Sequence, residues 1–110
     1  MKFVFLTALK TEAKALIKEY DLKKSKNNSF FNNNYFSLFI TGMGKEQTLK
    51  NISHFLSFYK DLNETIAINI GVAGGNPKTT SLEDCYLINK IKNETNNDEF
   101  YPDVLIGHNW

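Results

Sequence analysis

The sequence predicts an α/β fold, a single domain whose mixed, mostly parallel sheet is flanked by helices. Apolar runs of strand length alternate along the chain with segments whose apolar residues recur at helical spacing. Their order is strand, helix, strand, strand, helix, strand, strand, and helices that join strands indicate parallel pairs with right-handed crossovers. With 110 residues, of which 42% are hydrophobic, the chain is large enough for one core, and we assign one domain to residues 1–110.

The first half of the chain supplies a strand, a helix and a hairpin. Lys2–Leu9 is a continuous apolar run, which is typical of a strand that is buried on both faces. Thr11 is the predicted cap of the helix that follows. The apolar face of that helix is expected to carry Ala13, Leu16, Ile17 and Tyr20. The polar segment Asp21–Asn34 is expected to be a loop or a hairpin, with a short strand at Phe30 and Phe31.

The second half supplies further strands and a second helix. Tyr35–Thr41 is predicted to be a strand, and a tight turn at Gly42–Gly44 leads into a helix from Lys45 to Tyr59. The expected buried face of this helix consists of Leu49, Ile52, Leu56 and Tyr59. Three more strands are predicted, at Thr65–Gly71, Cys85–Ile91 and Phe100–Ile106. The last of them is alternatively an extended arm, because Pro102 limits its pairing. Cys85 is expected to be a small core residue.

Composition and charge exclude several classes of partner. The chain has 13 Lys, no Arg and 12 acidic residues, and its net charge of +1 gives no reason to expect nucleic acid or a membrane surface as a partner. No apolar stretch approaches the roughly 20 residues of a membrane span, and the apolar N-terminus is too short for a signal peptide. The single cysteine cannot form an internal disulfide, which favours a reducing cytoplasm. Because no His, Cys, Asp and Glu residues have metal-ligand spacing, no metal or other cofactor is expected.

Three loops follow predicted strands at the edge of the sheet where α/β proteins usually bind ligands. They are Leu9–Glu12, Thr41–Lys45 and Gly71–Gly75. Glu12 either stabilises the start of a helix or takes a proton from water at the mouth of a cleft. The second loop is either a plain turn or holds an anion or a ribose oxygen with its backbone amides, although its spacing fits neither a P-loop nor the dinucleotide fingerprint. The third is either a sharp turn that needs positive φ or a place of close backbone approach.

Together these segments resemble the superfamily of purine nucleoside phosphorylases and methylthioadenosine/S-adenosylhomocysteine nucleosidases. The resemblance rests on Ala-Leu-Lys-Thr-Glu-Ala at residues 8–13, Thr-Gly-Met-Gly-Lys at 41–45 and Ile-Asn-Ile-Gly-Val-Ala-Gly-Gly at 68–75, which occur in the family's order and at similar separations. The last segment is the most specific, because it matches the family's Asn-x-Gly-x-Ala-Gly-Gly run. Residues 82–88 and 100–103 also resemble later segments of some members, so the resemblance covers nearly the whole chain.

The resemblance implies cleavage of the N-glycosidic bond between ribose and a purine. It makes Glu12 the carboxylate that activates the attacking water and places Met43 on the sugar side of the pocket. Val72, Ala73 and Gly74 match the glycine-rich segment that lies beside sugar and base, with Val72 standing where the family has a small polar residue. Phosphorolytic members carry an Arg where this chain has Asn69, so hydrolysis is favoured and no phosphate-binding residue is assigned.

The resemblance also implies that residues 1–110 correspond to the N-terminal half of a family member. The family's later half provides the Met-Glu pair that grips the ribose hydroxyls and the Asp that protonates the purine, and no residue here matches either. The expected partners are therefore a purine nucleoside and either further copies of the chain or a C-terminal half, and the chain alone is expected to be weak or inactive. The alternative is a catalytically inactive module for oligomerisation or nucleoside binding. A generic flavodoxin-like nucleotide-binding domain is a third interpretation.

Overall fold

The computed structural model describes residues 2–26 and 29–102. Residue contacts divide the chain into two compact units, Met1–Ala73 and Gly74–Trp110. The elements of the first unit are β1 (Lys2–Thr7), α1 (Lys10–Glu19), β2 (Lys23–Lys24), β3 (Phe30–Asn32), β4 (Phe36–Ile40), α2 (Lys45–Phe58), a 3-10 turn (Leu62–Glu64) and β5 (Thr65–Asn69).

The five strands form one mixed sheet in the order β2-β3-β4-β1-β5. Strand β1 lies between β4 and β5 and pairs in parallel with both, whereas the β2–β3 hairpin continues the sheet in antiparallel pairing beyond β4. The predicted α/β fold with a mixed sheet is therefore confirmed, as is the short strand at Phe30 and Phe31. The parallel part consists of the three strands that helices connect, which agrees with the rule for strand–helix–strand units.

Each face of the sheet is covered by one helix, because the side chains of a strand alternate between its two faces. Phe5 and Leu38 pack with α1 through Ala13, which is fully buried. The neighbouring Val4 and Phe39 point the other way and pack with α2 through Phe55. Two hydrophobic clusters result, one on each side of the central strands. This explains why the strand segments are continuous apolar runs in the sequence.

The first helix begins at Lys10, so the prediction that Thr11 caps it is wrong. Leu9 is the N-cap residue and has extended backbone angles (φ −122°, ψ 148°). Its N–H donates to Glu12 Oε1 over 3.0 Å, so the side chain on the third helical residue closes the first turn. Thr11 itself lies inside that turn and is exposed.

The second helix buries a different face from the predicted one. Leu49 and Leu56 are 59% and 48% exposed, whereas Phe55 is only 4% exposed. The rings of Phe39 and Phe55 have centroids 4.9 Å apart. Of the four expected residues, Ile52 packs against this cluster and Tyr59 is buried just after the helix end. Because Phe55 packs against the sheet, the helix is rotated about its axis away from the orientation that would bury Leu49 and Leu56.

The second unit contains little regular structure among its described residues 74–102. A short antiparallel pair joins β6 (Ile91–Lys92) to β7 (Glu99–Phe100). The predicted strand Cys85–Ile91 is wrong except for its last residue, because a strand requires a hydrogen-bonded neighbour and the preceding residues have none. Cys85 is exposed, so its assignment to a core is also wrong. Of the predicted strand Phe100–Ile106, only the first residue pairs, and residues 103–106 lie outside the described part.

Candidate functional site

The first two of the three candidate loops come together at one edge of the sheet, and the third begins there. Because β1, β4 and β5 are parallel, their carboxyl ends share this edge, which we call the loop edge. The N–H of Gly42 donates to the carbonyl of Ala8 over 3.0 Å and links the first loop to the second. The N–H of Ile70 donates to the carbonyl of Leu6 over 3.0 Å and starts the third loop beside β1.

Glu12 joins the first loop to the third through its carboxylate. Oε1 accepts the N–H of Leu9 and Oε2 accepts the N–H of Val72, each over 3.0 Å. The residue is half-buried and lies in the first turn of α1, where the helix dipole favours a negative charge. An ionised carboxylate has about four acceptor positions, so two backbone donors leave it further acceptor capacity. Glu12 can therefore connect the two loops by hydrogen bonds and still accept a further hydrogen bond from water.

Gly71 is a point of close backbone approach, one of the two interpretations that the sequence left open for its loop. A Cβ at Gly71 would lie 3.1 Å from Glu12 Oε2, which is a tight contact. None of Gly71, Gly74 and Gly75 has positive φ, so the alternative of a turn requiring positive φ does not apply there. The group that Gly71 approaches is the carboxylate of Glu12.

The second loop does contain glycines in the left-handed region. Gly42 and Gly44 both have φ +83°, which side chains adopt only with strain. Between them, Met43 is 62% exposed, and its N–H donates to Gln47 Oε1 over 3.2 Å. The amide of Asn51 donates to the Thr41 carbonyl over 2.7 Å and fixes the end of β4 to α2. Met43 therefore presents an apolar side chain to solvent next to the loop edge.

The structure brings some of the predicted site residues together and leaves others apart. Val72 contacts Glu12 through its backbone while its side chain is 87% exposed, and Ala73 is also exposed. Gly74 is the first residue of the second unit and is exposed. A Cβ added to Gly74 would meet no other side chain or backbone atom within 4 Å. The assigned roles of these residues stay predictions.

Thr7 is a residue of this edge that sequence reasoning missed. It is the last residue of β1 and is fully buried, and its Oγ1 has no hydrogen-bond partner among the described residues. Its backbone carbonyl accepts the N–H of Thr41 over 2.7 Å. A polar residue at the end of an otherwise apolar run is the one signal by which it could have been found, since buried hydroxyls usually have partners.

A cavity of about 330 Å³ lies at the opposite edge of the same sheet. It lies near the amino ends of the parallel strands, and its lining includes Lys2, Tyr35, Phe58, Lys60 and Asp61. None of the predicted site residues takes part in it. The hydrogen bond between Lys2 and Asp61 raises the pKa of the lysine amine above its ordinary value and ties the two side chains at the rim.

Metal binding and membrane insertion find no support in the described residues. Within residues 2–26 and 29–102, no three His, Cys, Asp or Glu side chains are grouped closely enough to hold a metal ion. In that same part of the chain, no helix combines the length and the apolar character that crossing a membrane requires.

Comparison of the chain with protein-family models, with curated proteins and with solved structures found no match. The likeness of the three loops to the nucleosidase superfamily therefore remains a prediction from short motifs.

Proposed function

We propose that this chain carries part of a nucleosidase-type site that hydrolyses the N-glycosidic bond of a purine nucleoside, with Glu12 as the base that activates water. The observation that carries the proposal is the position of Glu12, held at the loop edge by Leu9 and Val72. Breaking the bond from ribose to purine builds positive charge on the sugar. A fixed carboxylate beside that carbon stabilises the charge and accepts the proton of the attacking water.

The absence of arginine favours hydrolysis over phosphorolysis. Phosphorolysis requires a strong phosphate site, which is usually built with Arg because its planar fork binds two oxygens at once. The chain contains no Arg, and Asn69, which ends β5 at the loop edge, is a neutral amide. Water as nucleophile requires no such site. Efficient turnover is expected to need further groups that grip the ribose and protonate the purine, so we expect the chain alone to act slowly.

The test is release of adenine from methylthioadenosine, separated by chromatography. Glu12→Gln keeps the size of the side chain and one oxygen acceptor but removes the base, so release is expected to fall by about 10²–10⁴-fold. Glu19→Gln is the matched control, since Glu19 is an exposed carboxylate at the other end of the same helix. Release that persists unchanged in Glu12→Gln would show that Glu12 is not the base.

A second candidate function is a catalytically inactive module for nucleoside binding or oligomerisation. It is favoured by the two backbone hydrogen bonds of Glu12, which suffice to give the residue a structural role. This candidate predicts that neither the wild-type chain nor Glu12→Gln releases adenine. It also predicts that Glu12→Gln has a lower thermal midpoint than the wild-type chain. Titration with methylthioadenosine, followed through the amide NMR signals of Gly71 and Val72, then separates a nucleoside-binding module from one without a ligand.

A further inference from the structure

The two outer strands of the five-stranded sheet, β2 and β5, differ in how well their free sides are protected against pairing with another chain. At one edge, β2 has only two residues, and both are exposed lysines. At the other, β5 has five residues without a charge and pairs only with β1 among the described residues. Short, lysine-bearing edges discourage strand addition, whereas longer uncharged edges invite it. Among the described residues, the outer edge of β5, which we call its free edge, is therefore where a further strand can add to this sheet without opposing charge.

The free edge of β5 presents the backbone groups of alternate residues. Ile70 donates its N–H to Leu6 of β1, so residues two and four positions before it also face β1. The N–H and C=O groups of Ala67 and Asn69 and the C=O group of Thr65 consequently point away from the sheet, whereas the N–H of Thr65 already donates to the carbonyl of Leu62. Ala67 and Asn69 are exposed, so a strand that approaches meets no bulky side chain at the centre of the edge.

The sequence of β5 is nearly symmetric about its middle residue. It reads Thr-Ile-Ala-Ile-Asn, with Ala67 at the centre. In an antiparallel pair of two such strands, Ala67 lies opposite Ala67 of a second copy, and Thr65 lies opposite Asn69. Because the N–H of Thr65 is already bonded to Leu62 in each copy, this register forms about four new backbone hydrogen bonds. The half-buried Ile66 then lies beside Ile68 of the other copy.

We infer that two copies of this chain associate through antiparallel pairing of their β5 edges about a two-fold axis at Ala67. The interface is of the kind in which both copies use the same surface. A pairing of five residues on each side is small compared with the roughly 1,200–2,000 Å² of stable complexes, so the dimer is reversible, with dissociation in the micromolar range or above. The inference rests on the backbone of β5 and does not depend on the role proposed for Glu12, although Asn69 at the end of the strand also borders the loop edge.

Introducing a positive or a negative charge at residue 67 tests the identity of the partner and the register together. Only the two-fold register puts residue 67 opposite itself, so Ala67→Lys and Ala67→Glu should each weaken self-association at least tenfold by like-charge repulsion. An equimolar mixture of the two variants should associate again as a heterodimer. Ala15→Lys and Ala15→Glu are matched controls, because Ala15 is exposed on α1 and away from the edge. Sedimentation velocity over a range of concentrations gives the dissociation constants.

Three results would overturn the inference. They are a wild-type chain that stays monomeric at millimolar concentration, association that the Ala67 variants leave unchanged, and a mixture that fails to restore it. Far-UV circular dichroism checks that the variants are folded. As a second measurement, Ala67→Cys in a Cys85→Ser background should form a disulfide-linked dimer on oxidation, because opposed residues have Cα atoms about 5.5 Å apart, within disulfide range. Ala15→Cys in the same background should not.

Discussion

Adjacent residues of α2 provide the sharpest test of the packing, because Phe55 and Leu56 differ by about 100° around the helix axis. Phe55 is buried in the aromatic cluster, whereas Leu56 is half-exposed. Phe55→Ala should cost about 3–5 kcal/mol, the usual range for deleting a buried aromatic ring. Leu56→Ala should cost about 1 kcal/mol or less, since roughly half of its transfer free energy is already absent.

These costs are large relative to the stability of the unit. A unit that ends at Ala73 is expected to have a free energy of unfolding of about 4–11 kcal/mol, so Phe55→Ala removes roughly a quarter of it or more. Phe55→Leu is the milder variant, expected to cost about 1–2 kcal/mol. Urea unfolding followed by far-UV circular dichroism measures all three. If Leu56→Ala proved more destabilising than Phe55→Ala, α2 would bury the face that carries Leu56, as its leucine pattern predicts. The packing of Phe55 against Val4 and Phe39 would then be refuted.

Two further predictions concern the loop edge and the opposite rim. Gly42→Ala should destabilise by about 1–3 kcal/mol in urea unfolding, because a Cβ would lie 2.7 Å from the Gln47 side chain as well as at positive φ. Gly44→Ala should destabilise as well although nothing lies within 4 Å of its Cβ position, because φ +83° with ψ 158° is a backbone region that essentially only glycine adopts, and an unchanged stability would contradict the described turn. The raised pKa of Lys2 means that its pairing with Asp61 stabilises fully below the ordinary value of 10.5 and is lost as pH rises through the raised value. Lys2→Gln should therefore lower the thermal midpoint at pH 7 by more than at pH 12, and an equal loss at both would exclude the pairing.

The loop edge could be predicted from the sequence only in part. Placing all three loops after parallel strands followed from the order of elements, and the structure puts the ends of β1, β4 and β5 at one edge. The contact between Glu12 and Val72 was not predictable, because the two residues are 60 positions apart and meet only after β5 pairs with β1. The burial of the Thr7 hydroxyl was signalled only by the position of this polar residue at the end of an apolar strand.

The fold class and most of the elements of the first unit follow from local patterns in the sequence. Side chains repeat every two residues on a strand and every 3.6 on a helix, so the periodicity of apolar residues identifies each element locally. Tertiary structure alone decided which face of α2 is buried, since Phe55 and Leu56 fit the helical period equally well until the sheet supplies Phe39 as a partner. It also decided that Cys85–Ile91 forms almost no strand. An apolar run becomes a strand only where another strand satisfies its backbone hydrogen bonds, and no periodicity encodes that partner.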